Sequence, residues 1–109
     1  MADILRPIDQ LEQTIRARKA APDEKSYTAK LLAGGVEKIG AKITEETAEV
    51  VEAAAEPGDE GRAHLIYEAA DLIYHLFVML GHREVRLDEV EAELARRFGI
   101  SGLDEKASR

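Results

Sequence analysis

The sequence predicts an all-α fold, a bundle of four to five helices built around a central antiparallel helical hairpin. Helix-forming residues dominate the 109-residue chain, and proline occurs at only three positions. No segment shows the apolar–polar alternation of a half-buried strand. The length and the absence of repeats suggest one domain over residues 1–109.

Apolar spacing and helix-breaking residues divide the chain into helical segments. Isoleucine and leucine recur on one helical face between residues 4 and 15, and the loop APDEKS follows at 21–26. Gly34-Gly35 closes a short helix, and PGDEG at 57–61 separates two long ones. The predicted helices are 4–19, 27–33, 36–55, 62–80 and 87–98. The short break between the two long helices predicts an antiparallel hairpin.

Composition and charge exclude several classes of function. The chain has no cysteine, so it has no disulfides or thiolate metal sites, which suits a reducing cytoplasm. The N-terminus, MADILRPIDQLEQ, is not typical of a signal peptide, and we expect no membrane helix. A net charge of −7 argues against binding nucleic acid or an anionic membrane.

Helical periodicity predicts which face of each long helix forms the core. For the helix 36–55 the predicted core stripe is Val36, Ile39, Ile43, Thr47, Val50, Val51 and Ala54. For the helix 62–80 it is Leu65, Ala69, Leu72, Ile73, Leu76 and Leu80, widened by Ile66, Ala70 and Phe77. Glu46 lies at the edge of the first stripe, Glu49 one step further round, and Glu45 and Glu52 face outward.

Acidic residues accumulate on both long helices. Glu45, Glu46 and Glu49 fall within five positions, and Glu68 and Asp71 are stacked on one flank of the next helix. Each like-charge pair on a helix costs roughly 0.2–0.5 kcal/mol. If the hairpin brings the two groups together, the carboxylates need protons or a cation. Mg²⁺ prefers such oxygen ligands, which predicts a magnesium site.

Two alternatives remain open at this point. The glutamates can form a solvated face paired with Lys38 and Lys42. A di-iron centre requires Glu-x-x-His on two helices, and none of His64, His75 and His82 has a glutamate three residues before it. The three histidines are therefore interpreted as structural or exposed.

The acidic pattern resembles a known family signature. The motif Glu45-Glu46-x-x-Glu49, followed after eighteen residues by Glu68-x-x-Asp71, is similar to the EExxE…ExxD signature of the MazG-type nucleoside triphosphate pyrophosphohydrolases. Four segments resemble the phosphoribosyl-ATP pyrophosphohydrolases of histidine biosynthesis more specifically: SYTAKLLAGG, EKIGAKITEETAEVVEAA, YEAADLIYHLFVML and the ending SGLDEKASR. Thr47 departs from the family pattern, which has Ala there, and this small exchange should leave the site intact.

The resemblance implies Mg²⁺-dependent hydrolysis of phosphoribosyl-ATP to phosphoribosyl-AMP and pyrophosphate by a cytoplasmic, MazG-like homodimer. It implies the stand-alone form, without a fused cyclohydrolase that holds zinc through cysteines. The implied metal ligands are Glu46, Glu49, Glu68 and Asp71. Glu45 is the candidate for activating or orienting water, or for holding a second ion.

Basic side chains are expected to neutralise the phosphates. The candidates are Lys30, Lys38, Lys42, Lys106 and Arg109. The polar tail is predicted to fold over the substrate, either within one chain or across a dimer, and the apolar circumference of helix 62–80 favours a dimer. Tyr27 is expected either to stack on adenine or to cap the core.

Two rival functions have distinct tests. A house-cleaning pyrophosphohydrolase acting on noncanonical nucleoside triphosphates shares the acidic motif, but the SYT and SGLDEKASR segments argue against it. A non-catalytic helical interaction module predicts neither Mg²⁺ binding nor pyrophosphate release.

Overall fold

The computed structural model describes residues 5–98, and within that range the chain is helical with no strand. The helices are α1 (Pro7–Ala20), α2 (Tyr27–Ala54), α3 (Gly58–His82) and α4 (Leu87–Arg97). The predicted all-α class and the central hairpin are confirmed, because α2 and α3 pack against each other along their lengths. The predictions for the C-terminal tail lie outside the described residues.

Local signals in the sequence set the helix ends. The Ser26 hydroxyl accepts a hydrogen bond from the Ala29 amide at 3.2 Å and caps the start of α2. Pro7 begins α1, where its missing N–H leaves no bond unmade. The Glu89 carboxylate accepts from the Arg86 amide at 2.8 Å at the start of α4. These ends lie within a few residues of the predicted ones.

A kink at Gly35 divides α2 into two helical segments. Gly35 has φ 69° and ψ −164°, a conformation that is essentially restricted to glycine. The predicted break at Gly34-Gly35 is therefore present, although the helix resumes immediately after it. The kink lets the first segment of α2 pack back over α3.

The apolar core lies at one end of the hairpin, where α1 covers it. Its fully buried large side chains come from α1, α2 and α3: Ile15, Leu31, Ile39 and Val78. Lys19 fixes the end of α1 by donating to the carbonyl oxygens of Gly81 and His82 at 3.0 and 2.9 Å. These carbonyls belong to the last turn of α3, so Lys19 also satisfies acceptors that the helix leaves unpaired.

The predicted core stripes are wrong over much of both long helices. The predicted core residues that are exposed are Val36, Thr47, Val51 and Ala54 on α2 and Ile66, Ala70, Ile73 and Leu76 on α3. Ile39 and Phe77 are buried as predicted, and Ile43, Val50, Leu65, Ala69, Leu72 and Leu80 are half-buried. The reason is that α1 covers only the C-terminal part of α3, so that the apolar side of α3 that precedes Phe77 has no cover within residues 5–98.

The surfaces that α2 and α3 bury carry polar side chains instead. We define the inner face as Glu46 and Ala53 of α2 with Gly61, Glu68 and His75 of α3, all of which are buried. We define the outer face as Val51 of α2 with Ile66, Ala70 and Ile73 of α3, all of which are exposed. Ile66 and Glu68 are two residues apart and thus about 200° apart around α3.

By length and composition, α3 also passes the test for a membrane-spanning helix, against the expectation from the sequence. One such helix is weak grounds for a membrane span, because the core helix of a soluble protein passes the same test. On the inner face of α3, His75 bonds to Tyr27 of α2 and Glu68 lies beside Glu46 of α2, and charged groups are expensive inside a bilayer.

Candidate active site

All five carboxylates that the sequence singles out converge between α2 and α3. Carboxylate oxygens of Glu46, Glu68 and Asp71 lie within 4.8 Å of one another, and so do those of Glu45, Glu46 and Glu49. Glu46 belongs to both groups. We call these five residues the acidic cluster. Because the hairpin brings the two motifs together, the interpretation of a purely solvated face does not hold for Glu46 and Glu68.

The two central glutamates are buried without full hydrogen bonding. Glu46 and Glu68 each retain only 5% exposure. The Oε2 atom of each is buried, with no hydrogen-bond partner among the described residues. Leaving a buried hydrogen-bond acceptor unpaired is unfavourable. A bound cation, or a hydrogen-bond donor, would satisfy these two oxygen atoms.

Hydrogen bonding and burial within the cluster shift the pKa values of its members. The hydrogen bond with Glu49, together with burial, raises the pKa of Glu68 to about 7. Burial and the neighbouring Glu49 raise the pKa of Glu46. The same hydrogen bonds with Glu68 and Glu46 lower the pKa of Glu49. Glu68 and Glu46 therefore hold a proton more readily than ordinary glutamates, and Glu49 holds one less readily.

The residues present fit a hard divalent cation. The cluster offers only carboxylate oxygens, which are the ligands that Mg²⁺ prefers. A cation would also pair with the two buried oxygens and replace the protons that hold the cluster together. The sequence placed Glu46 at the edge of an apolar stripe, whereas it lies at the centre of this site.

Among the predicted phosphate-binding residues that lie within residues 5–98, Lys42 is the one that reaches the acidic cluster. Lys42 Nζ lies 3.2 Å from Glu45 Oε2 and 4.0 Å from Glu46 Oε1. Lys30 and Lys38 are exposed, and the ion pairs of the described residues do not join either one to the cluster. Lys106 and Arg109 lie outside the described residues.

His64 borders the cluster from its exposed side. Its Nδ1 lies 2.8 Å from Glu56 Oε2, and its Nε2 lies 3.5 Å from Glu68 Oε1. The hydrogen bond with Glu56 raises the pKa of His64. The sequence analysis interpreted the histidines as structural or exposed. His64 is indeed exposed, but its contact with Glu68 was not predicted.

His75 is a second residue whose position the sequence did not reveal. It is only 4% exposed, and its Nδ1 donates to the Asp71 carbonyl at 2.8 Å. Its Nε2 therefore accepts from the Tyr27 hydroxyl, 3.1 Å away. The available signal was spacing, because His75 follows Asp71 by four residues on the same row of α3.

The kink in α2 brings Tyr27 to the edge of the cluster. In a straight helix, residues 27 and 42 would be about 22 Å apart. Here burial raises the pKa of Tyr27, and the charges of Lys42, Glu46 and Glu45 act on it as well. Tyr27 also bonds to His75, which bonds to the backbone of Asp71, so that Tyr27 lies near the acidic cluster although it precedes Lys42 by fifteen positions.

Comparison with known proteins identifies the family. Residues 8–98 match the family described as phosphoribosyl-ATP pyrophosphohydrolase. The phosphoribosyl-ATP pyrophosphatase of Rhodopirellula baltica is 58% identical over 109 residues, which is 100% of this chain and 91% of that protein. The Rhodobacter capsulatus enzyme of the same name is 53% identical over 102 residues, covering 94% and 96% of the two chains. That of Dinoroseobacter shibae is 57% identical over 100 residues, covering 92% and 95%.

The matched residues include the whole acidic cluster, and the all-α hairpin agrees with the fold that the motif implied. The chain therefore belongs to the phosphoribosyl-ATP pyrophosphohydrolase family.

Proposed function

We propose that this protein hydrolyses phosphoribosyl-ATP to phosphoribosyl-AMP and pyrophosphate, as an Mg²⁺-dependent step of histidine biosynthesis in the cytoplasm. The observation that carries the proposal is the convergence of five carboxylates around the buried Glu46 and Glu68, in a chain of this family. Relatives at 53–58% identity over nearly the whole chain are named for the same substrate.

The acidic cluster is proposed to hold the cation. Glu46 and Glu68 offer buried oxygens that lack a hydrogen-bond partner among the described residues, and an Asp71 oxygen lies within 4.8 Å of an oxygen of each. Glu49 completes the proposed set, because its lowered pKa keeps it ionised. When bound, the ion supplies positive charge that neutralises and polarises the phosphate chain.

Glu45 and Lys42 have separate proposed roles at the rim. Glu45 is exposed, so that it has access to water, and Lys42 holds its carboxylate at 3.2 Å. We propose that Glu45 accepts a hydrogen bond from the attacking water, or holds a second ion, and that Lys42 binds phosphate oxygens.

The remaining predicted phosphate ligands are proposals from the sequence. Lys30 and Lys38 would have to reach the phosphates from the exposed surface of α2. Lys106 and Arg109 belong to the tail, and we propose that both side chains bind the phosphates of the substrate. A chain truncated after Phe98 is then expected to lose most activity while its helix content stays almost unchanged. Full activity of that truncated chain would contradict the role of the tail.

A homodimer is proposed from the outer face. Ile66 is 57% exposed and Val51 is 66% exposed on helices that carry the site on their other side. Exposed apolar surface of this kind favours association. A second copy is the expected partner, while the net charge of −7 gives no reason to expect nucleic acid or an anionic membrane.

The experiment that tests the proposal compares pyrophosphate release from phosphoribosyl-ATP, ATP and dITP, with Mg²⁺ and with a chelator. We expect Mg²⁺-dependent release that is fastest with phosphoribosyl-ATP. A preference for dITP would support a house-cleaning function instead. The absence of release from all three, with no Mg²⁺ binding near millimolar concentrations, would support the non-catalytic module.

A further inference from the structure

Tyr27 presents an aromatic face to solvent although its hydroxyl group points inward. The residue is 49% exposed, yet its hydroxyl donates to Nε2 of the buried His75 at 3.1 Å. One side of its ring stacks on Tyr74, with centroids 6.2 Å apart and planes 19° apart. The exposed surface of Tyr27 is therefore mostly ring rather than hydroxyl.

The ring is fixed from several directions. His75 packs edge-on against both tyrosine rings, at centroid distances of 6.0 and 4.9 Å. Its own orientation is set by the bond from Nδ1 to the Asp71 carbonyl at 2.8 Å. The Tyr74 hydroxyl is hydrogen-bonded to the Thr28 hydroxyl. A side chain held in this way binds a ligand without first losing rotamer freedom.

The ring also lies beside the place proposed for the phosphates. Two hydrogen bonds connect the Tyr27 hydroxyl to the backbone of Asp71, through His75. The charges of Lys42, Glu46 and Glu45 reach the phenol. A flat apolar surface next to a site for phosphate and a cation has the two parts that recognise a nucleotide.

We infer that Tyr27 stacks on the purine ring of the substrate, and that His75 is a positioning residue that fixes the Tyr27 ring. The inference rests on the proposed function, and it names the part of the site that binds the base. Of the two roles expected for Tyr27 from the sequence, it selects stacking over capping the core, because half of the side chain is exposed.

The main test compares Tyr27→Leu with Tyr27→Phe. Stacking of one base contributes about 1–3 kcal/mol, so Tyr27→Leu should raise KM for phosphoribosyl-ATP about 5- to 150-fold. Tyr27→Phe keeps the ring but loses the hydrogen bond to His75, so that KM should rise by a clearly smaller factor than in Tyr27→Leu. Inorganic tripolyphosphate, which has no base, should inhibit wild type and Tyr27→Leu with the same Ki. An unchanged KM in Tyr27→Leu, or an equal loss of tripolyphosphate affinity, would overturn the inference.

The role of His75 is tested by a double-mutant cycle. If His75 acts through the Tyr27 hydroxyl, His75→Leu should raise KM by about the same factor as Tyr27→Phe, and the double variant should show no further rise. His75→Gln, whose amide both donates and accepts, should restore part of the loss. Circular dichroism of each variant shows whether it is folded. Additive effects of the two changes would contradict the positioning role.

Failure of the proposed function gives a different result. If wild type releases no pyrophosphate from phosphoribosyl-ATP, the affinity for AMP in the presence of Mg²⁺ is compared between wild type and Tyr27→Leu by calorimetry. Binding about 5- to 150-fold weaker in the variant supports stacking independently of turnover. Equal affinity, or no AMP binding by either protein, overturns it.

Discussion

The inner and outer faces of the hairpin reverse the usual arrangement of a small protein. The inner face buries Glu46, Glu68 and His75, and the outer face exposes Ile66 and Ile73. Charged side chains are rarely buried unless they are paired or bind a metal, and exposed apolar surfaces usually mark an interaction site. The difference shows that the most apolar side of a helix is not always the side that the chain buries within itself.

The two faces therefore have different consequences for stability. Burying unpaired carboxylates opposes folding, and exposing apolar side chains forfeits stabilisation by burial. The proposed ligands would reduce both costs: a cation on the inner face and a second copy of the chain on the outer face. The variants below test this contrast by changing one face at a time.

The largest expected effect follows from changing the centre of the inner face. Glu46→Gln keeps the shape of the side chain but removes the charge of the one residue that belongs to both sets of neighbouring carboxylates. We expect pyrophosphate release to fall by at least about 10³-fold, or about 4 kcal/mol of transition-state stabilisation. The matched control is Glu52→Gln on the same helix, where the side chain is exposed. Equal activities of the two variants would contradict the site.

On the outer face, Ile66→Asp should weaken the proposed dimer without affecting the fold of the protomer. Burial of one isoleucine is worth about 1.5–3 kcal/mol, and a symmetric dimer loses two, so that its Kd should rise at least about 100-fold. Sedimentation as a function of concentration measures this change. Gln13→Asp on the exposed side of α1 is the control and should leave association unchanged. A wild-type monomer at high concentration would refute the assignment.

The metal-free protein should lose stability as pH rises. The pKa of Glu68 is raised to about 7 in the folded chain, while an unfolded chain releases that proton near its ordinary value. Between about pH 4.5 and about pH 7 the folded state binds more protons, so this contribution is present at low pH and lost as pH rises through the folded pKa. The raised pKa of Glu46 acts in the same direction, and the lowered pKa of Glu49 acts in the opposite one.

Urea unfolding in chelator measures this pH dependence. The free energy of unfolding should fall between about pH 4.5 and about pH 7 in wild type, and Glu68→Gln should flatten the fall. Glu52→Gln should leave it unchanged. An undiminished fall in Glu68→Gln would show that another group is responsible.

A smaller effect concerns the kink that brings Tyr27 to the inner face. Gly35→Ala places a side chain at φ 69° and should destabilise the protein by about 1–3 kcal/mol. Gly40→Ala is the control on the same helix: the added methyl would meet the end of the Met79 side chain at 3.9 Å. It should stabilise by up to about 1 kcal/mol. Thermal unfolding distinguishes the two, and equal effects would contradict the special role of Gly35.

Local features of the sequence predicted the helices and the members of the acidic cluster. Capping residues, proline and paired glycines act over a few positions, so that the helix ends follow from short segments. The spacing of Glu46, Glu49, Glu68 and Asp71 was informative because residues three or four apart share a side of a helix.

Long-range features could not be predicted in the same way. Periodicity revealed an apolar stripe on each long helix but not whether this chain or another molecule covers it. The contact between Tyr27 and His75 depends on the direction of the kink at Gly35. The Gly34-Gly35 pair permits a kink but does not specify its direction. The burial of His75 likewise follows from the orientation of α3 rather than from its own helix pattern.

The most direct test of the account compares the stabilities of wild type and Glu46→Gln at about pH 8, with chelator and with Mg²⁺. A ligand at 100 times its Kd stabilises the protein it binds by about 2.7 kcal/mol. Without metal the variant should be the more stable protein, because it relieves repulsion within the acidic cluster. With Mg²⁺ near saturation the order should reverse. If Glu46→Gln is less stable in chelator and Mg²⁺ stabilises both proteins equally, the inner face is not a cation site.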